Sequence, residues 1–88
     1  MWKVQRLPDD GFVVLRLSGR LEGEQLSELQ EAFQSVAANQ DLVLDLKEVR
    51  LVDQEAVSFL AGCEADGAKI RNCPGYIREW ISRERSRN

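Results

Sequence analysis

The stretch DLVLDLKEVRLVDQEAVSFLAGC, residues Asp41 to Cys63, decides the fold. It opens on an apolar run, Leu42 to Leu44, crosses Asp45 and returns to Leu46, the pattern of a strand buried on one or both faces. Lys47-Glu48 reads as a charged corner, followed by a second short apolar stretch from Val49 to Val52 that Arg50 interrupts. Ala56, Phe59, Leu60 and Cys63 then recur at i, i+3, i+4 and i+7, which aligns them on one face of a helix. Asp53 is placed to cap that helix, because its carboxylate can accept from free first-turn amides. Glu55 complements the positive end of the helix dipole. The stretch therefore predicts a strand, a turn and a helix whose amino end, Asp53-Gln54-Glu55, faces solvent.

Upstream, Trp2 to Leu7 alternates weakly as an edge strand, and Pro8-Asp9-Asp10-Gly11 is a turn signature. Phe12 to Leu17 completes a hairpin. Ser18-Gly19-Arg20-Leu21 is read as breaking that strand, and a helix follows from Glu22 or Gly23. Its apolar stripe is Leu26, Leu29, Phe33, Val36 and Ala37. Downstream, Asp66-Gly67 closes the second helix, Ala68 to Arg71 is a short strand, and Pro74 suits the start of a third helix. Ile77, Trp80 and Ile81 are the buried stripe of that helix, with Tyr76 beside it. The order is β-β-α-β-α-β-α, an α/β fold with a mixed four-stranded sheet. After the N-terminal hairpin, right-handed crossovers make the last three strands parallel.

The 88 residues suffice for one core, so residues 1–88 are read as a single domain with 82–88 a frayed polar tail. With 43% apolar and 31% charged residues the composition is that of a soluble globular chain. No apolar run approaches the length of a membrane span, and the N-terminus lacks a signal-peptide core, so the expected location is cytoplasmic. The net charge of −3 argues against nucleic acid as the main partner. That charge is uneven: residues 1–75 carry 8 basic and 13 acidic side chains, and residues 76–88 carry four arginines against two glutamates.

Histidine is absent, which removes the commonest general base and metal-binding imidazole. No phosphate-binding glycine loop, metal-ligand spacing or nucleophile elbow is present, so neither cofactor nor metal nor catalysis is expected. Asp45 is either a perturbed acid or a carboxylate accepting hydrogen bonds from the adjacent turn. Cys63 falls on the apolar helix face, where cysteine is inert packing. Cys73, next to a helix start, is a candidate for a dipole-lowered pKa.

The segment LVLDLKEVRLVDQEAVSFLAG resembles the signature of the STAS domain, the fold shared by sulfate transporter tails and anti-sigma factor antagonists. VLRLSGRLEGEQLSEL at 14–29, the strand at 68–71 and Asn72-Cys73-Pro74 extend the resemblance over nearly the whole chain. In anti-sigma factor antagonists the turn aspartate precedes a serine or threonine that a partner kinase phosphorylates. Here Asp53 matches the aspartate, but Gln54 stands at the phosphoacceptor position, Glu55 at the next and Ala56 where glycine is common. Ser58 is the nearest hydroxyl.

The resemblance implies a non-catalytic, regulatory protein-interaction module without a phospho-switch. Its partner surface would comprise Asp53, Gln54, Glu55, Arg50 and Ser58, flanked by Ser18, Gly19 and Arg20. The partner would be an anti-sigma or kinase-like regulator. The alternative is an accessory subunit of a lipid or anion transport system, or a small-ligand-binding domain. STAS domains usually continue with a further strand and helix; without them an open sheet edge makes a homodimer an expectation too.

Overall fold

The computed structural model describes residues 2–9, 11–34 and 41–86. Its sheet has the order β1-β2-β3-β4, with β1 Lys3–Asp9, β2 Phe12–Leu21, β3 Asp41–Val52 and β4 Lys69–Arg71. β1 and β2 are an antiparallel hairpin, and Gly11 takes the positive φ of 86° that its turn needs. β2 pairs in parallel with β3, and β3 with β4. A one-turn 3₁₀ segment, Gly23–Gln25, leads into α1, Leu26–Gln34. Glu22 starts it: its amide donates to the Gln25 carboxamide at 3.1 Å, half of a reciprocal capping box. α2 spans Gln54–Ala65 and α3 Gly75–Ser86.

Two crossovers of one hand, stepping the same way along the sheet, place α1 and α2 on a single face. Leu29, Leu60, Ile77 and Ile81 from the three helices share one core with Leu15, Leu17, Leu44 and Leu46 from the sheet, all fully buried. α2 buries Val57 and Ala61 besides Ala56, Leu60 and Cys63, because it packs against both the sheet and α3. Its buried face is therefore wider than the i, i+3, i+4 stripe, and Phe59 sits at the margin, tilted against Phe33 with ring centroids 5.3 Å apart. Val14 and Val43, paired across the sheet, are buried outside that core.

The largest departures from the sequence expectation lie in β2 and β3. Ser18 to Leu21 does not break β2, and Lys47-Glu48 is not a corner: both strands run through. β3 has 12 residues against 10 in β2, and the surplus is absorbed by two irregularities. One lies between the pairs Arg16↔Asp45 and Ser18↔Glu48, the other between Gly19↔Val49 and Arg20↔Leu51. At the first, Asp45 Oδ1 accepts the Lys47 amide at 3.0 Å; at the second, the Tyr76 hydroxyl donates to the Arg50 carbonyl at 2.9 Å. A side chain thus bonds a backbone group at each irregularity. Gly19 adopts φ 88° within this region.

Two further expectations change. β4 begins at Lys69 rather than Ala68, and the chain does not fray at Ser82 but stays helical to Ser86. Arg78 and Arg85 both reach Glu64 on α2, which ties the far end of α3 down. The Pro74 carbonyl accepts the first α3 bond from Arg78 N at 2.9 Å, so proline stands just before the helix. Val36 and Ala37, expected in the α1 stripe, and residues 87–88 of the expected tail lie outside the described residues.

Candidate functional site

The ends of β2 and β3 and the start of α2 meet at one end of the molecule. β3 delivers Asp53, whose backbone is extended at φ −111° and ψ 179°, the conformation of a helix cap. Its Oδ1 accepts from Ala56 N at 2.9 Å, as expected. Its Oδ2 accepts from Gly23 N, also at 2.9 Å, a bond that joins the start of the α1 segment to the start of α2. Nothing in the local sequence announces this second bond, because the two residues are 30 positions apart.

With both carboxylate oxygens of Asp53 engaged, Gln54 and Glu55 are the exposed residues of the first turn. Gln54 donates from Nε2 to Glu84 Oε2 at 2.6 Å and to Ser58 Oγ at 3.4 Å. The helix end therefore includes a contribution from α3 that sequence reasoning assigned to a polar tail. Glu55 leans over Gly23, where its carboxylate occupies space that a side chain there would fill.

Six of the eight expected residues divide among three shallow hollows, which Gln54 and Arg20 do not line. Asp53 and Glu55 line one of about 460 Å³ together with Glu22, Gly23 and Glu24. Ser18, Gly19 and Arg50 line a second of about 340 Å³ with Glu48. Ser58 belongs to a third of about 310 Å³, lined also by Ala61, Gly62, Ala65, Glu84 and Arg85. Arg20 lies beside Leu51 in the sheet register. Among the described residues Leu51 and Tyr76, 44% and 52% exposed, are the exposed large hydrophobic residues, and they reach the surface beside Arg50. The sequence signal for Leu51 was only that an apolar residue followed Arg50 in a strand.

The residues with chemical potential elsewhere are committed to structure. Asp45 is buried, accepts from Lys47 N and from Asn72 Nδ2 at 3.3 Å, and faces Arg16 Nε at 3.7 Å. Asp45 therefore accepts hydrogen bonds, but from within a continuous strand at its irregularity and from Asn72, not from a turn at a strand end. Cys63 and Cys73 are free thiols. Burial, assisted by the Asp66 charge, pushes the Cys63 thiol up to about 12. Cys73 is also raised, not lowered: its partial burial and the Glu64 charge outweigh the stabilising pull of Arg78 on a thiolate. Among the described residues, no three of His, Cys, Asp or Glu gather as a metal site, and no helix is long and apolar enough to cross a membrane.

Residues 6–74 match the family model described as "Mlab, STAS domain". No curated protein shows significant sequence similarity to the chain. Among solved structures, it is similar to an uncharacterized protein from Shewanella loihica PV-4 described as having a SpoIIAA-like fold. That likeness has 18% identity, 94% coverage of this chain and 74% of the other, and a TM-score of 0.46.

Proposed function

The chain belongs to the STAS domain family, and from that premise we propose that it is a non-catalytic protein-interaction module of the anti-sigma factor antagonist kind. Its docking surface is the amino end of α2: Gln54 and Glu55 present to the partner, Asp53 fixes their position, and Arg50, Ser58, Ser18, Gly19 and Arg20 surround them. The observation that supports this reading is the arrangement of Asp53. Its two oxygens hold two separate backbone amides, so the backbone that presents the following residues is held in place. Such preorganisation lowers the ordering cost of association.

Gln54 has no hydroxyl to phosphorylate, and Glu55 supplies fixed negative charge beside it. The surface is therefore held in one state, and its regulation lies with the partner's abundance or state. No reaction is assigned to the module.

The test is recovery of a partner by the intact chain from its native host. Gln54→Arg and Glu55→Arg each place a cation on the surface and leave the core untouched. The partner should be lost from both variants while circular dichroism stays that of the parent. A partner retained by both variants would refute the docking assignment. Its identity, a kinase-like regulator or a transporter subunit, then decides the pathway.

A further inference from the structure

The charge and the exposed apolar surface of this protein coincide at one end. Glu22, Glu24, Glu48, Asp53 and Glu55 all stand around the ends of β2 and β3 and the start of α2, against Arg20 and Arg50. That excess of three negative charges equals the net charge of the whole chain, −3. The exposed large hydrophobic residues among those described, Leu51 and Tyr76, open beside it. Leu51 follows Arg50 in β3, next to Arg20 of β2, and Tyr76 is drawn to the Arg50 carbonyl by its hydroxyl. The ring of Tyr76 is thereby held in place while about half the residue remains in water.

Leu51 and Tyr76 adjoin Arg50 and Arg20 directly, with the carboxylates in the hollows next to these. Exposed apolar side chains beside charged ones are the composition of an interface anchor, and aromatic residues in particular dominate binding energy at low entropic cost. The sign of the charge excess selects the occupant. A nucleic acid or an anionic lipid surface is repelled by the carboxylates. A second copy presenting the same end would bring like charges together, at a cost in affinity. A protein surface bearing Lys or Arg around an apolar recess is complementary in both respects.

We propose that Leu51 and the ring of Tyr76 anchor this end of the molecule in an apolar recess of a basic protein partner. The proposal rests on the reading of the α2 end as a docking surface and adds to it the anchor residues and the chemistry of the partner. Arg50 holds the anchors in register through its carbonyl, and the carboxylates steer the approach.

The experiment places a photoreactive benzoylphenylalanine at position 51, at position 76 or, as a control on β4, at position 69, in the full chain in its native host. Positions 51 and 76 should crosslink one protein through a segment containing Lys or Arg, and position 69 should not. With that protein purified, Leu51→Ser and Tyr76→Ala should each weaken binding about tenfold, a hot-spot loss. Tyr76→Phe, which keeps the ring but loses the hydroxyl bond to the Arg50 carbonyl that positions it, should fall between the parent and Tyr76→Ala. Binding should weaken steeply when sodium chloride is raised from about 0.05 to about 0.5 M.

If Leu51→Ser and Tyr76→Ala bind like the parent while Glu55→Arg does not bind, the anchor proposal fails and the docking surface stands. If all three bind like the parent, both fail. Crosslinking to a second copy or to lipid, or affinity indifferent to salt, overturns the assignment of a basic protein.

Discussion

The carboxylate of Asp53 closes two helix starts at once, accepting Gly23 N through Oδ2 and Ala56 N through Oδ1, each at 2.9 Å. Both bonds are partly buried, so deleting the acceptor leaves two amides short of a partner. Asp53→Ala should cost about 2 kcal/mol, roughly 1 for the helix cap and roughly 1 for the second amide. Asp53→Ser keeps an acceptor for the α2 amide but cannot reach both, and should fall between Ala and the parent. Urea unfolding midpoints measure the three. Equal midpoints for Ala and Ser would show that the α2 cap contributes nothing to the loss.

Gly23 and Gly19 are glycines for different reasons, and alanine should separate them. A Cβ at Gly23 would meet Glu55 Oε2 at 2.7 Å, the far end of a side chain that can swing away. Gly23→Ala should therefore change stability by less than about 0.5 kcal/mol while displacing the Glu55 carboxylate. Gly19 sits at φ 88°, beside a register shift of the β2–β3 pair. Alanine there pays left-handed strain of about 1–2 kcal/mol. Paired thermal melts decide it; a more damaging Gly23→Ala would show Glu55 to be rigidly fixed.

The alternation and helical periods along the chain, clearest in residues 41–63, were enough to order the elements, because those periods follow from which face each element buries. Asp53 as a cap was legible for the same local reason. The second bond of Asp53, the register shifts of β3 and the Tyr76 hydroxyl on Arg50 were not, since each depends on a residue far away in the chain. Lys47-Glu48 looked like a corner because two exposed charges in a row break strand alternation; the bulge produces the same exposure without ending the strand. The end of α3 was misread because arginines among glutamates look like a solvated tail until Glu64 of α2 is seen between Arg78 and Arg85.

The two side chains that bond β3 at its irregularities should contribute unequally. Asp45 is 5% exposed and serves Lys47 N, Asn72 and Arg16 together, and although those donors belong to exposed residues, Asp45→Ala removes three interactions of a buried carboxylate and should cost about 1–2 kcal/mol. Tyr76 is half exposed, and water can replace its hydroxyl at the Arg50 carbonyl. Tyr76→Phe should cost less than about 1 kcal/mol. Amide hydrogen exchange distinguishes local from global effects: Asp45→Ala should accelerate Lys47 well beyond any change in the core. Equal losses for the two variants would contradict the difference in burial.

Glu64 should set part of the acid limb of stability. Its carboxyl is held below the ordinary value of 4.5 chiefly by the hydrogen bond from Arg78, with Arg85 and both guanidinium charges adding to the effect against a smaller opposing influence of burial. Arg78 grips it with two bonds, 2.7 and 2.8 Å, and Arg85 with one of 3.0 Å. A carboxyl whose folded pKa is depressed binds its proton more readily in the unfolded chain. Its contribution is therefore complete above the unfolded value of 4.5 and disappears as pH falls through the lower folded value. Glu64→Gln should lower the melting temperature at pH 7, but its deficit should shrink below pH 4.5 as the parent loses the same interaction. Because α3 leans on Glu64 at both Arg78 and Arg85, the amides of its last two turns should exchange faster in the variant at neutral pH. A deficit that stays constant down to the acid unfolding transition would mean the clamp acts by packing of the side-chain stems rather than by charge.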